Sequence, residues 1–557
     1  MSDVQAASLA ARIDRLPATA TIWKLVWVLS IGGFFEVYDL FQMTYLPAGM
    51  VRDGIFHAGA RGAFGISDQG ALGAATFAGL FIGEMFVSRL ADRFGRRALF
   101  TGSLLLYTAA SVAMCVQSSA LGVLVCRFVA SCGVGAELIT IGAFLSELVP
   151  KAVRGRAFAV CFAIGYLAMP VLAFVSWLWV PHAPLGLSGW RWVVLLGGSG
   201  AVAVWWLQSR LPESPRWLAE RGRVAEADAI LRRLEACVER ETGRPLPPVP
   251  PPVDAPRHAI APSRRASMWD ADNRGRTAML IVFNAFLSIG FFGFSQWLPT
   301  LLAAQGASVT KSLWYAFVIA FAYPVSPFAA AALADRIERK WLIVAAAFGV
   351  ALFGTGFAMS AHPAAVIAFG ILVTLCNTVL ASNATAYQSE VFPTRIRSRA
   401  LGFVHSIGRL TGIASSFVVA LLIEHVGVPS VFVLIGASMA IVMLSIGMFG
   451  PRTNNRSLED IVARASESGA ATGARRAAPG EAVDRLTRRA ASRTTASRVD
   501  SVPRRATHGP RRRCFAQRGR NRFVARDRTG SPRLGPSHGA AENDAGAARA
   551  NARYGVR

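Results

Sequence analysis

The chain has 557 residues, of which 53% are hydrophobic and only 17% charged, with 34 Phe and 13 Trp. Soluble domains carry about a quarter charged residues, so the deficit excludes an ordinary water-soluble enzyme and makes lipid the expected solvent. The formal charge of +26 would by itself suit nucleic acid, but residues 452–557 hold 24 Arg against 9 acidic residues and supply 15 of those charges.

A bilayer core of about 30 Å needs about 20 mostly apolar helical residues. Residues 1–22 carry Asp3, Arg12, Asp14 and Arg15 and lack the apolar core of a signal peptide, so they read as an N-terminal segment. Six candidate spans follow at about 23–48, 69–90, 98–117, 120–147, 157–180 and 190–210, making a first bundle over 23–210. Residues 211–276 are a polar central loop: Pro212 to Ala236 predicts a short amphipathic helix, and the Pro-rich run Pro245 to Pro256 predicts an extended linker. Six more spans, at about 277–302, 312–334, 341–360, 364–388, 400–423 and 428–449, make a second bundle over 277–450. Barrel strands are shorter and alternate in polarity, so helices are the better assignment. Residues 451–557 are Arg-rich without Lys and too charged to bury a core, which predicts a disordered tail with no nucleic-acid role. The expected fold is therefore an all-α, multi-pass membrane protein of twelve transmembrane helices in two pseudo-symmetric six-helix bundles.

Basic residues fall in alternate loops. Arg93, Arg96 and Arg97 follow span 2, Lys151, Arg154 and Arg156 follow span 4, and Arg336, Arg339 and Lys340 follow span 8. The intervening loops, such as Gln117-Ser118-Ser119, are nearly bare. The positive-inside rule puts both termini in the cytoplasm, and a bacterial chain of this kind would sit in the inner membrane. The loops also repeat. Asp92-Arg93-Phe94-Gly95-Arg96-Arg97 is echoed by Asp335-Arg336-Ile337-Glu338-Arg339-Lys340, and Glu147 with Arg154 is echoed by Glu390 with Arg397. Such an echo predicts a duplicated unit. The carboxylates and arginines at these helix ends (Asp92, Arg93, Arg96, Glu147, Arg154, Asp335, Arg336, Glu390 and Arg397) are expected to pair as a cytoplasmic gate that latches the two bundles.

These motifs resemble the major facilitator superfamily over about residues 20–450. The usual Gly four residues before the Asp of the first loop is Ser88, and the later Gly of the second copy is Glu338. Pro212-Glu213-Ser214-Pro215-Arg216-Trp217-Leu218 resembles a signature found after span 6 in sugar porters and related organic-solute symporters. The resemblance implies alternating access about a site near the midplane.

An ionisable residue inside a membrane invites a functional reading. Span 1 holds Glu36 and Asp39, span 2 Glu84, span 4 Arg127 and Glu137, and span 11 His405 and Arg409. In the resembled proton symporters an Asp on span 1 lies near an Arg on span 4, so Asp39 and Arg127 are the expected proton-coupling pair, with Glu36 as a second carrier. A static pair that fixes helix packing is the alternative. Span 7 lacks the Gln-Gln pair typical of sugar porters, and it ends Gln296-Trp297-Leu298-Pro299. Together with Arg409 this looks closer to the aromatic-acid and nicotinate-type symporters. A planar guanidinium in a cavity suits a carboxylate, so Arg409 is a candidate anchor for a small organic anion, with Gln296, Trp297, Asn383 and Glu137 as further substrate contacts. A pairing of Arg409 with Glu390 is the alternative.

The seven Cys have no CxxC spacing, and no metal-ligand cluster or nucleophile–base pair recurs near a span. No metal or cofactor is expected. The reading is a monomeric, proton-coupled carrier of a small solute and not an enzyme. A sugar:proton symporter and a proton-driven exporter of drugs or metabolites are its rivals.

Overall fold

Apolar runs of about 20 to 30 residues, interrupted where Gly, Pro and Ser gather, fold as long helices in the computed structural model. It describes residues 9, 11–57, 62, 67–87, 90–208, 211–249, 267–334, 336–392 and 396–451. All belong to one compact unit, residues 1–478. The tail from 452, Asp335, and the side chains of Asp92 and Arg397 lie outside the described residues.

In chain order the helices are α1 (Ala20–Tyr45), α2 (Pro47–Arg52), α3 (Asp68–Met85), α4 (Leu90–Phe94), α5 (Arg96–Cys115), α6 (Ala120–Leu148), α7 (Lys151–Trp179), α8 (Gly189–Gln208), α9 (Pro215–Glu220), α10 (Val224–Thr242), α11 (Ala271–Ser295), α12 (Leu298–Ala304), α13 (Val309–Ala320), α14 (Ala322–Ala334), α15 (Arg339–Met359), α16 (Pro363–Val391), α17 (Arg397–His425) and α18 (Val428–Phe449). Hydroxyls start several of them: Ser67, Ser119 and Ser308 each accept from the amide three residues on. Helices α6, α7, α16 and α17 have 29 residues each, or about 43 Å at 1.5 Å per residue. The eighth expected span divides into α13 and α14, and Pro327 lies inside α14.

Ten helical stretches among the described residues are long and apolar enough to cross a bilayer. Their outer faces carry exposed apolar side chains such as Leu105, Val171, Phe348, Val433 and Met448, while Asp39, Arg127 and Glu137 are buried. Apolar outside and ionisable inside is the distribution lipid demands. Helices α3 and α8, with 18 and 20 residues, are not among the ten but pack against them.

The packing order repeats along the chain. In the first set of helices α3 and α5 pack on α6, α5 on α8, and α1 on both α7 and α8. In the second set α14 and α15 pack on α16, α15 on α18, and α11 on both α17 and α18. The two sets meet where α3 lies along α17 and where α7 lies along α13 and α14.

Glycines set the closest of these contacts. Cβ atoms built at Gly79 and Gly83 of α3 would lie 2.4 and 2.2 Å from the carbonyl oxygens of Phe128 and Cys132 on α6. One at Gly135 of α6 would lie 2.6 Å from the carbonyl oxygen of Leu80. The two backbones therefore touch. Gly142 has nothing within 4 Å of such an atom.

Helices α9 and α10 are the expected amphipathic segment. Their apolar face (Trp217, Leu218, Ala227, Leu231) packs on Leu9 and Ile13 of the N-terminal segment. Arg12 bonds Asp228 and Glu235, and Arg15 bonds Glu235 at 2.7 Å.

Candidate functional site

Asp39 and Arg127 meet as expected. Arg127 donates to Asp39 Oδ2 at 3.0 Å, to the carbonyl oxygens of Asp39 and Leu40, and to Thr76 Oγ1 at 3.1 Å. Ser111 Oγ donates to Asp39 Oδ1 at 3.1 Å. Arg127 is 1% exposed and Asp39 2%. The pair thus ties α1, α3, α5 and α6 at one sealed point, where no polar atom of the arginine is left without a partner.

A cavity of about 340 Å³ lies beside that point. Six helices each give it one stripe at helical spacing, from α1 (Gly33, Glu36, Val37, Leu40), α6 (Leu138, Ile141, Gly142, Leu145), α7 (Phe158, Cys161, Phe162, Gly165), α11 (Asn284, Leu287, Ser288, Phe291), α16 (Ala381, Ala384, Thr385, Gln388) and α17 (His405, Gly408, Arg409). These are the first, fourth and fifth spans and their counterparts in the second set. Most of the wall is apolar or aromatic, with a few polar groups, which is the usual make-up of a small-solute site. Asn284 donates to Gln388 Oε1 at 2.8 Å, and Ser288 donates to the carbonyl oxygen of Gly408 at 2.7 Å.

Arg409 is on the cavity wall, and its partner is Glu84, not Glu390. Its Nε and one Nη reach the same Glu84 oxygen at 2.9 and 2.7 Å, and its guanidinium carbon sits 6.0 Å from the centre of the Phe292 ring. Glu36 also faces the cavity, within electrostatic range of Glu84 and Arg409.

The other expected substrate contacts do not reach this wall, for reasons of helix phase. Asn383 is two residues, or about 200°, from Ala381 around α16, and its amide donates to Val379 of its own helix. Glu137 is about 100° from Leu138. It is fully buried, and neither carboxyl oxygen has a hydrogen-bond partner among the described residues. Gln296 lies one turn beyond Phe292 and is buried off the cavity. Trp297 lines a second cavity of about 430 Å³, with Tyr45, His57, Gln69, Thr300 and Glu424. Among residues given no role from sequence, Glu84, Asn284 and Ser288 belong to the site, as does Gln388, one of the span-10 polar residues suited to a pocket wall. The high cost of a lone acid in a membrane pointed at Glu84, but nothing local showed that α3 and α17 are neighbours.

The chain matches the family described as Sugar (and other) transporter over residues 25–464. It belongs to that family. A Bacillus subtilis protein named as a metabolite transporter, YyaJ, is 32% identical over 80% of this chain and 96% of its own length. The niacin transporter NiaP of Acinetobacter baylyi is 28% identical over 81% and 99%. Among solved structures, the xylose transporter XylE from E. coli in a partially occluded inward open conformation superposes with a TM-score of 0.63 at 18% identity, over 79% of this chain and all of that one. Another structure, titled as the major facilitator superfamily proton:xylose symporter XylE with 6-bromo-6-deoxy-D-glucose, gives 0.60 at 20% identity, over 80% and 99%. These likenesses show the fold. The chain is thus a multi-pass integral membrane transporter of the sugar-transporter family, not an enzyme.

Where they are described, the basic loops of this sugar-transporter-family chain pair within each set of helices. Arg96 reaches Glu147 at 3.5 Å, and Arg339 pairs with Glu390, the equivalent residues of the two loop copies. Arg154 instead holds Asp14 and the carbonyl oxygen of Val149, while Arg93 and Arg336 are exposed. Glu213 accepts from the backbone amides of Arg96 and Arg97. Gly95 sits there at φ 106°, and a Cβ would lie 2.6 Å from the Glu213 carboxylate. Glu338 replaces that glycine in the second copy at φ −59°, so no glycine is required. At the far end from these loops α7 and α13 close on aromatic pairs, Trp177–Trp314 at 4.9 Å and Phe174–Phe317 at 5.3 Å, and Gln69 donates to Thr300 at 2.7 Å. The central cavity runs the other way, to within two residues of Glu147 and Glu390.

Proposed function

We propose that this protein is a proton-coupled symporter of a small organic or aromatic carboxylate, working by alternating access. Its twelve transmembrane helices form two six-helix bundles, residues 23–210 and 277–450, with both termini cytoplasmic. The twelve are the ten apolar stretches plus α3 and α8, and the repeated packing order supports the six-and-six division. With the basic loops inside, the structure is the inward-facing state. The observation that carries the substrate class is Arg409, the one arginine or lysine among the described residues lining the central cavity. Its planar fork suits a carboxylate between aromatic walls. The name of the niacin-transporting relative agrees with that chemistry. Coupling is assigned to the sealed Asp39–Arg127 pair, with Glu36, one turn away on the cavity wall, as the group that meets water first. A charged Asp39 holds α1 to α6, and protonation loosens that hold.

The deciding experiment is competition uptake in proteoliposomes with nicotinate, benzoate, a dicarboxylate and a hexose, with and without an inward proton gradient. Monocarboxylates should compete and the gradient should drive accumulation. Competition by the hexose alone would move the assignment to the sugar symporters, a reading the Asn284–Gln388 amide pair on the wall favours over export.

A further inference from the structure

We infer that Glu84 is a built-in competitor for the cargo: the solute's carboxylate displaces Glu84 from Arg409, and Glu84 takes up a proton as it leaves. This rests on the carboxylate reading of the cavity and adds a residue and a proton to it.

Arg409 lies on the cavity wall and Glu84 reaches it from the adjoining helix α3. Both directed hydrogen bonds of the guanidinium go to one oxygen of one carboxylate, at 2.9 and 2.7 Å. The two side chains are 20% and 10% exposed, so the pair stands at the cavity's edge and not in its sealed interior. A guanidinium edge that is engaged by one carboxylate cannot take a second on the same donors. An incoming solute carboxylate and Glu84 therefore exclude each other there.

The charges around Glu84 decide its state once it is displaced. Glu36 faces it from α1, and His405 and Arg409 face it from α17; Glu137 of α6 interacts with Glu36 and Asp39 instead. Arg127 of α6 is committed to Asp39. A carboxylate that gives up a guanidinium partner where water is scarce and a second carboxylate, Glu36, is near is held better as the neutral acid. The step is a carboxylate plus one proton giving a carboxylic acid. Before it the site holds Arg409 and Glu84 as an ion pair. After it the site holds Arg409 with the solute anion and a neutral Glu84, so the charge of the site is unchanged. Any proton carried at Asp39 is additional. The displaced pair is also a tie between α3 and α17, two helices from different sets, so cargo binding removes a cross-link that rocking must break.

Binding of radiolabelled nicotinate to the purified full-length protein tests this. Wild-type affinity should weaken roughly tenfold per pH unit over the range in which binding takes up one proton, as a one-proton linkage requires. Titration calorimetry in two buffers should count about one proton taken up per nicotinate. Glu84→Gln cannot exchange a proton: its binding should be flat with pH, tighter than wild type at alkaline pH, and without that proton. Arg409→Ala should abolish binding at every pH. If Glu84→Gln keeps the wild-type slope and proton count while Arg409→Ala abolishes binding, the role of Glu84 is overturned and the carboxylate anchor stands. If wild type takes neither nicotinate nor benzoate, or Arg409→Ala binds as wild type does, the carboxylate reading falls and this one with it. Should Glu84→Gln fail to fold, the wild-type proton count decides, and a count of zero overturns the proposal.

Discussion

At the scale of single residues, the sealed pair and the close-packed glycines make opposite demands. Removing the charge of Asp39 leaves Arg127 its bonds to two carbonyl oxygens and to Thr76. Asp39→Asn should therefore fold and still exchange solute across the membrane, but lose gradient-driven accumulation. Accumulation that survived intact in proteoliposomes would make the pair a static packing device. At Gly83 the opposite holds. A side chain there must push against the Cys132 carbonyl, which is backbone and cannot turn aside. Overpacking typically costs about 1–3 kcal/mol even against side chains, so Gly83→Leu should remove most of the monodisperse protein recovered in detergent. Gly142→Ala meets open space on the cavity wall and should leave that yield unchanged. The first pair was legible in the sequence because both residues sit in recognisable motifs. The Glu84–Arg409 pair was not, because its members are 325 positions apart and nothing in either local pattern names the other. Helix phase likewise hid which polar residues face the cavity: Thr385 and Gln388 do, Asn383 does not.

At the scale of elements, apolar runs placed the ends of the long helices to within about seven residues, since backbone exposed to lipid must be hydrogen-bonded within a helix. What they did not reveal is the arm formed by the N-terminal segment on α9 and α10, which depends on long-range charge pairing. Arg12 sits between two carboxylates of α10. Its hydrogen bond holds Asp228 below the usual carboxylate range. Burial pushes Glu235 up, but the hydrogen bonds and charges of Arg12 and Arg15 more than offset this, and it too titrates low. Both acids have folded values below their unfolded ones. Their stabilisation is complete above the ordinary carboxylate range of about pH 4–5 and is lost as pH falls through the depressed values. Arg12→Ala should cost about 1 kcal/mol at neutral pH, as expected of a partly exposed ion pair, and expose α10 to limited proteolysis. The gap between variant and wild type should close in acid. No gap at neutral pH would mean that the apolar contacts of Leu9 and Ile13 alone hold the arm.

At the scale of the whole molecule, transport requires the end closed by α7 and α13 to open. Among the described residues that end is closed by rings, Trp177 on Trp314 and Phe174 on Phe317, and by the Gln69–Thr300 hydrogen bond. Aromatic pairs are worth about 0.5–1.5 kcal/mol each beyond their buried area, small enough to be broken in each transport cycle. A covalent tie at the same place is not. In a background freed of its native cysteines, Trp177→Cys with Trp314→Cys should cross-link with a short bismaleimide when the protein is in the state seen here. Cross-linking should stop uptake and exchange while nicotinate still binds from the side of the basic loops, because the central cavity extends toward that end. Each single variant should transport after the same treatment. If the cross-linked double variant still transported, α7 and α13 would not separate during the cycle, and opening would have to occur along α3 and α17 alone.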